Sequence, residues 1–349
     1  VGFSNVRQKI IFRKEVVFAQ FLDPQNNFRE KEVKVEIRWD PLTDWSSRIV
    51  QHRPNLPGPQ DLQALKQGAI MSKCPFCHPH LETMTPRFPE NLIKEGRLCY
   101  HNSTVFPNAF PYDAYNALVT FSGDHWIEPG NLLPSYLFNG FLSSILYVKK
   151  VSEQDQNVKF ASVNFNFMPA AGSGIPHPHL QIIVGKEPTL YPRILEEQSK
   201  RYRKRHRSNF WDDLVKTEEK IGERLIASEA NLVVISCFAP RGRVGEILFL
   251  FKGGTPLTKL REKDVEIFSR NLSWIIKGYS NLNLFSFNMA WFSFINQNDY
   301  FWTQVRLIPR YRFPFSQACD VNYLEKIHQE YVVVISPEFL CESFKKYQG

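Results

Sequence analysis

Two kinds of apolar spacing alternate along this chain of 349 residues. Between 132 and 148, Leu137, Phe138, Phe141, Ile145 and Val148 recur at helical intervals, which places them on one face. Val265, Phe268, Leu272, Ile275 and Ile276 make a second stripe of the same kind. Elsewhere the apolar positions run together or alternate, as strands require. Residues 32–50 predict a strand, a turn at Asp40-Pro41-Leu42-Thr43 and a second strand. Residues 103–121 predict two strands around Phe110-Pro111-Tyr112-Asp113, and 158–167 and 177–184 predict two more. A strand, the turn Pro240-Arg241-Gly242-Arg243 and another strand follow over 232–251, with further strands at 284–294 and 302–308. Residues 54–59 read as a proline-rich connector and 74–89 as a loop.

The order of elements is the same in both halves. Pro111 aligned with Pro240 is offset by 129 residues, and His177 aligned with Trp302 by 125. Similar offsets over similar elements point to an ancient duplication. The expected fold is therefore α+β, with residues 1–185 and 186–349 as two fused repeats, each an antiparallel sheet with packed helices. Hydrophobic residues make up 43% of the chain, and 29 phenylalanines supply a substantial core.

The net charge of +8 is local: Lys200, Arg201, Arg203, Lys204, Arg205 and Arg207 contribute six of it. Such a run could grip nucleic acid, but no aromatic platform accompanies it, and a solvated helix face or a loop between the halves is the expectation. Six cysteines, of which only Cys74 and Cys77 are close, suit a reducing compartment better than a disulfide scaffold. No apolar leader and no membrane-length apolar run is visible, so a cytoplasmic protein without a membrane partner is expected.

The chemistry concentrates at His177-Pro178-His179-Leu180-Gln181, just after Gly172-Ser173-Gly174. In an extended chain His177, His179 and Gln181 share a face. Pro176 and Pro178 lack N–H donors and suggest an edge strand. A neutral imidazole is a good nucleophile toward phosphorus and a good leaving group from it, so His179 is the candidate to carry a nucleotidyl group between two partners. Gln181 could hold a non-bridging oxygen, and the glycine turn could aim backbone N–H groups and the Ser173 hydroxyl at phosphate.

Cys74-Pro75-Phe76-Cys77 has the spacing for two thiolates on one tetrahedral ion such as zinc. His125 and His177 are the candidates to complete it, with His78 and His80 as competitors. A haem attachment (Cys-x-x-Cys-His) needs export, and a thioredoxin-like redox pair needs a βαβ surround; neither is visible. With His177 on the ion, the metal would brace the strand that carries His179.

Taken in order, these segments resemble the galactose-1-phosphate uridylyltransferase family of the histidine-triad superfamily. Arg38-Trp39-Asp40-Pro41-Leu42-Thr43 with His52-Arg53 resembles its N-terminal segment, and Phe106-Pro107-Asn108-Ala109-Phe110 its nucleoside-binding segment. Asn288-Met289-Ala290-Trp291 resembles a segment of its second half. The resemblance implies two histidine-triad-like halves, zinc on Cys74, Cys77, His125 and His177, and His179 as the nucleotidylated residue. It implies Gln181 as the phosphate-holding partner, and Arg53, Asn108, Asn166, Gly172, Ser173 and Gly174 as substrate contacts. It implies a homodimer that moves a nucleoside monophosphate from a nucleotide-sugar to a sugar 1-phosphate.

The chain departs from the family at several positions. Ala109 stands where an acidic residue is usual, and the serine of the phosphate turn sits one place early, with Gly174 in its position. Phe292, Gln304 and Arg306 stand where some members hold a second metal, so that site is expected to be absent. The family's C-terminal sugar-binding segment has no clear match after Leu324. His179-Leu180-Gln181 also resembles dinucleoside polyphosphate phosphorylases, and ADP-sugar phosphorylases are related, so inorganic phosphate is the alternative acceptor. A non-catalytic nucleotide- or RNA-binding protein is the alternative of another class; its binding would fall steeply with salt and ignore His179.

Overall fold

The apolar pattern differs between the halves of the chain, and the fold follows that difference. The structure, a computed structural model, describes residues 9–50, 62–69, 73–313 and 318–346. In chain order its first elements are β1 (Lys14–Asp23), β2 (Arg29–Trp39), β3 (Ser46–Ile49), α1 (Leu62–Ala69) and α2 (His80–Met84). A first series follows: β4 (Leu98–Tyr100), β5 (Ser103–Pro107), β6 (Tyr115–Thr120), α3 (Pro134–Gln154), β7 (Phe160–Phe167) and β8 (His179–Gly185). After α4 (Leu190–His206) and α5 (Phe210–Ile221) the same series recurs. It comprises β9 (Leu225–Glu229), β10 (Leu232–Ser236), β11 (Ile247–Phe251), α6 (Glu262–Asn281), β12 (Ser286–Phe294) and β13 (Gln304–Arg310). β14 (Tyr331–Val333) and α7 (Pro337–Lys346) complete the described elements.

Among the described residues, ten strands join in one sheet, ordered β4-β5-β6-β8-β7-β12-β13-β11-β10-β9. Read inward from either end, the strand order is the same, and antiparallel pairing of β7 with β12 forms the seam. The registers agree as well. Gln181 lies opposite Leu118 and Asn164, while Arg306 lies opposite Leu248 and Ala290. Gln304 and Arg306 thus occupy in the second series the places of His179 and Gln181. The expected α+β fold is observed, with the two antiparallel sheets merged into one. A smaller sheet, β1-β2-β3-β14, contains the two strands expected over 32–50 as β2 and β3; β2 pairs along its length with β1, which the sequence pattern did not predict.

One face of the large sheet is covered by α3 and α6. The apolar stripes expected there are buried, apart from Phe138, which is only partly covered. On the opposite face the halves diverge. β10 and β11 are apolar at nearly every position and buried on both sides, as strands covered by two layers must be. Their second face packs on Leu195 of α4 and Phe210, Trp211 and Leu214 of α5. β7 and β8 instead alternate, with Asn164, Asn166 and Gln181 only half-buried on the face away from α3. There a small cluster of Phe76, Leu81, Phe106 and Leu118 covers part of the sheet.

Two local expectations are corrected. β8 is a central strand, paired with β6 and β7, not an edge. Pro176 and Pro178 precede its first residue, so they remove no donor from the ladder. Residues 74–89 include the short helix α2 rather than loop alone. No helix among the described residues is long and apolar enough to cross a membrane.

Candidate active site and metal centre

Three elements converge at the start of β8. The Cys74–Cys77 turn leads into α2, the loop after β6 brings His125, and the glycine turn after β7 brings His177. The ligand atoms of Cys74, Cys77, His125 and His177 all lie within 4.8 Å of one another. Cys77 Sγ is 3.4 Å from Nδ1 of both His125 and His177, and Cys74 Sγ is 4.0 Å from His177 Nδ1. Zinc–ligand bond lengths in a tetrahedron place neighbouring donors about 3.4–3.8 Å apart, so the group has the right size.

The tautomers fit as well. His125 Nε2 lies 2.7 Å from the Ala69 carbonyl, and His177 Nε2 lies 3.2 Å from the Ser122 carbonyl. A carbonyl only accepts, so each Nε2 carries the hydrogen and each Nδ1 turns its lone pair to the sulfurs. Burial lowers the His177 pKa to about 4 and keeps the ring neutral, as a ligand must be. Burial, with Cys74 beside it, pushes the Cys77 thiol up to about 11. A thiol held protonated beside a second sulfur is an arrangement a divalent cation would relieve. Of the competitors, His78 contacts Glu82 at 2.5 Å and His80 contacts the Cys74 carbonyl at 3.1 Å; neither joins the group.

His179 is the first residue of β8 and only 7% exposed. Its Nδ1 lies 2.9 Å from the His177 carbonyl, so Nδ1–H donates there and the lone pair sits on Nε2. Burial lowers its pKa, which favours the neutral, nucleophilic ring. The Phe76 ring stands edge-on to both His179 and His177, with centroids 5.0 and 6.1 Å away. The two histidines therefore share the side predicted for them. Gln181 follows on that side, and its amide has no hydrogen-bond partner among the described residues.

The glycine turn is held open by backbone constraint. Met168 takes a φ of 69°, unusual for a non-glycine residue, and Gly172 a φ of 85° that favours glycine. The Met168 carbonyl accepts from the N–H groups of Ala171 (3.0 Å) and Ser173 (3.4 Å). The Ser173 hydroxyl donates to the Ile175 carbonyl at 2.8 Å, so it closes the turn. The N–H groups of Gly174 and Ile175 are left without partners among the described residues, as an anion site requires.

The other expected contacts lie at different distances from this centre. Asn108 donates to Asn116 Oδ1 at 2.9 Å and accepts from the Phe110 N–H at 3.0 Å, so its side chain shapes the turn before β6. Asn166 lies directly opposite Asn288 across the seam, and its Oδ1 accepts from Asn288 Nδ2 at 2.7 Å. Arg53 lies outside the described residues. The basic run forms the exposed end of α4, where Lys200 pairs with Glu196 and Arg203 with Asp299. In the second series, Arg306 is buried with Nη1 2.9 Å from Glu246 Oε1 and Nε 3.1 Å from Gln304 Oε1. Arg310, bidentate to Asp320 and bonded to Asn288, was not singled out from sequence; common residue types without a local motif gave no signal.

No protein-family model matches the chain. Over 341 residues it is 30% identical to an uncharacterized protein of Archaeoglobus fulgidus, covering 96% of this chain and 98% of that one. Among solved structures it is similar to an ADP-glucose phosphorylase of Arabidopsis thaliana with bound ADP-glucose, with a TM-score of 0.67 at 17% identity, covering 89% of this chain and 98% of that one. A uridylyltransferase structure matches with a TM-score of 0.66 at 16% identity, covering 89% and 97%. A GalT-like protein of Arabidopsis thaliana matches at 0.64 and 16%, covering 89% and 98%. The chain belongs to the family of the Archaeoglobus fulgidus protein, and its fold is the galactose-1-phosphate uridylyltransferase fold that these phosphorylase and transferase structures share.

Proposed function

We propose that this protein is a nucleotidyltransferase that moves a nucleoside monophosphate from a nucleotide-sugar to a sugar 1-phosphate through a covalent nucleotidyl-His179. The observation that carries this reading is the hydrogen bond from His179 Nδ1 to the His177 carbonyl, 2.9 Å long, which commits one ring nitrogen and frees the other. Nε2 attacks the α-phosphorus, a P–N bond forms, and the P–O bond to the β-phosphate breaks with its electrons leaving on the sugar 1-phosphate. A phosphate oxygen of the acceptor then attacks the same phosphorus and the P–N pair returns to the imidazole. Gln181 and the free N–H groups of Gly174 and Ile175 stabilise charge on the phosphoryl oxygens. Asn166, Gly172, Ser173, Asn108 and Arg53 line or shape the substrate site in this reading.

Cys74, Cys77, His125 and His177 would hold zinc, which would tie the loops around β8 into one frame and supply no bond change itself. Residues 1–185 form the half that carries the chemistry and 186–349 the half that does not. A cytoplasmic homodimer is the assembly and location that go with the reading. Intact-mass measurement after incubation with UDP- and ADP-sugars tests it. One UMP or AMP is expected to add to the wild type and none to His179→Ala with an unchanged melting temperature; labelling that survives in the variant would sink the reading. Offering the labelled protein a sugar 1-phosphate or inorganic phosphate separates a transferase from a phosphorylase.

A further inference from the structure

We propose that Asp320, Arg310 and Asn288 form a positioning relay that fixes which end of the Asn166 amide faces the substrate. The inference rests on the nucleotidyl-transfer reading and adds a polarity to it. Asp320 is 5% exposed and holds Arg310 by contacts of 2.9 to 3.1 Å from Nε and Nη2. Arg310 Nη1 then donates to Asn288 Oδ1 at 2.7 Å. A guanidinium only donates, so the atom of Asn288 facing it must be the oxygen. Asn288 Nδ2 faces two acceptors, the Ala171 carbonyl at 2.8 Å and Asn166 Oδ1 at 2.7 Å. The Ala171 carbonyl only accepts, so it imposes the same orientation from the other end.

The consequence passes to Asn166. Its oxygen is held by Asn288, and its Nδ2 is left with both hydrogens and no protein acceptor among the described residues. The half-buried NH2 is therefore presented as a donor on the face that carries His179 and Gln181. Ala171 immediately precedes Gly172, so the same asparagine anchors the glycine turn. Asn288, Arg310 and Asp320 all come from the second half of the chain. A half without counterparts of His177 and His179 thus orients a substrate donor of the other.

The test inverts the amide. Asn288→Asp keeps the shape and the bond to Arg310 but has no hydrogen for Asn166 Oδ1, so Asn166 turns its NH2 toward the new carboxylate and offers oxygen to the substrate. The KM for the nucleotide donor is expected to rise about tenfold. In an Asn166→Ala background the same Asn288→Asp exchange should raise KM by a clearly smaller factor, the remainder being the lost Ala171 contact at the glycine turn. An equal rise in both backgrounds, as simple charge repulsion gives, would overturn the relay. A second readout is independent of activity. In protein labelled with 15N-asparagine, the Asn166 side-chain signal should shift in Asn288→Asp and its NH2 protons should exchange more slowly. An unmoved signal would also overturn the relay, whereas a wild type that takes no nucleotide from any donor would refute only the nucleotidyl-transfer reading.

Discussion

Glu325 shows how a single residue here ties stability to pH. Burial and the neighbouring Asp320 push its pKa from 4.5 up to about 7, against the pull of Arg310, Arg243 and Arg241. Between those two values the folded chain holds a proton that the unfolded chain has released. Its contribution to stability therefore falls as pH rises through that window. The melting temperature of Glu325→Gln should lose this part of the pH slope between pH 5 and 7.5; identical slopes for variant and wild type would contradict the assignment. The cluster of Cys74, Cys77, His125 and His177, which could hold a metal ion, is a second residue-scale matter. Its four side chains were legible in the sequence because the cysteine pair is local and the histidines sit in recognisable segments. Chelation should lower the melting temperature, and elemental analysis should find one zinc per chain that Cys77→Ala loses. The Asp320–Arg310–Asn288 chain was not legible, since it joins three ordinary residues only after β12 and β13 pair.

At the scale of elements, α3 and α6 were readable because each has one buried stripe, and at the start of α6 the Asp264 carboxylate accepts from the Arg261 N–H at 3.1 Å. Gly140 lets α3 approach the sheet, for a Cβ there would lie 2.9 Å from that of Phe121. Phe268 of α6 is fully buried against Phe141, Phe249, Phe251 and Trp291, with centroids 4.7 to 5.8 Å away. Phe268→Ala is expected to cost about 3–5 kcal/mol in urea unfolding. A loss below about 1 kcal/mol would mean that the two helices do not share one core. β2 was anticipated as the strand before the Asp40 turn, but its partner β1 escaped prediction because nine of its ten residues stay exposed, leaving no buried stripe to read. The edge placement of β8 failed for another reason. Proline marks a missing donor, but both prolines lie before the ladder begins.

The large sheet repeats one strand order twice, and the two repeats differ on one face of it. In the first half that face is half-open and carries His179 and Gln181. In the second, α4 and α5 cover it, and the equivalent positions hold Gln304 and Arg306. The Arg306 side chain is 8% exposed and its partner Glu246 is fully buried, so the charge is satisfied inside the protein and unavailable to a ligand. Breaking such a pair from one side strands a buried charge, and Glu246→Gln should destabilise by about 3–5 kcal/mol. Replacing both partners by apolar residues of similar volume should restore most of that loss, which denaturant unfolding of the single and double variants would measure. On the proposed nucleotidyl-transfer reading, the same asymmetry predicts the stoichiometry of labelling. If the covered half has given up chemistry for packing, saturating donor adds one nucleotidyl group per chain. A second addition, surviving in His179→Ala, would mean that the covered face opens in solution and that the divergence is only apparent.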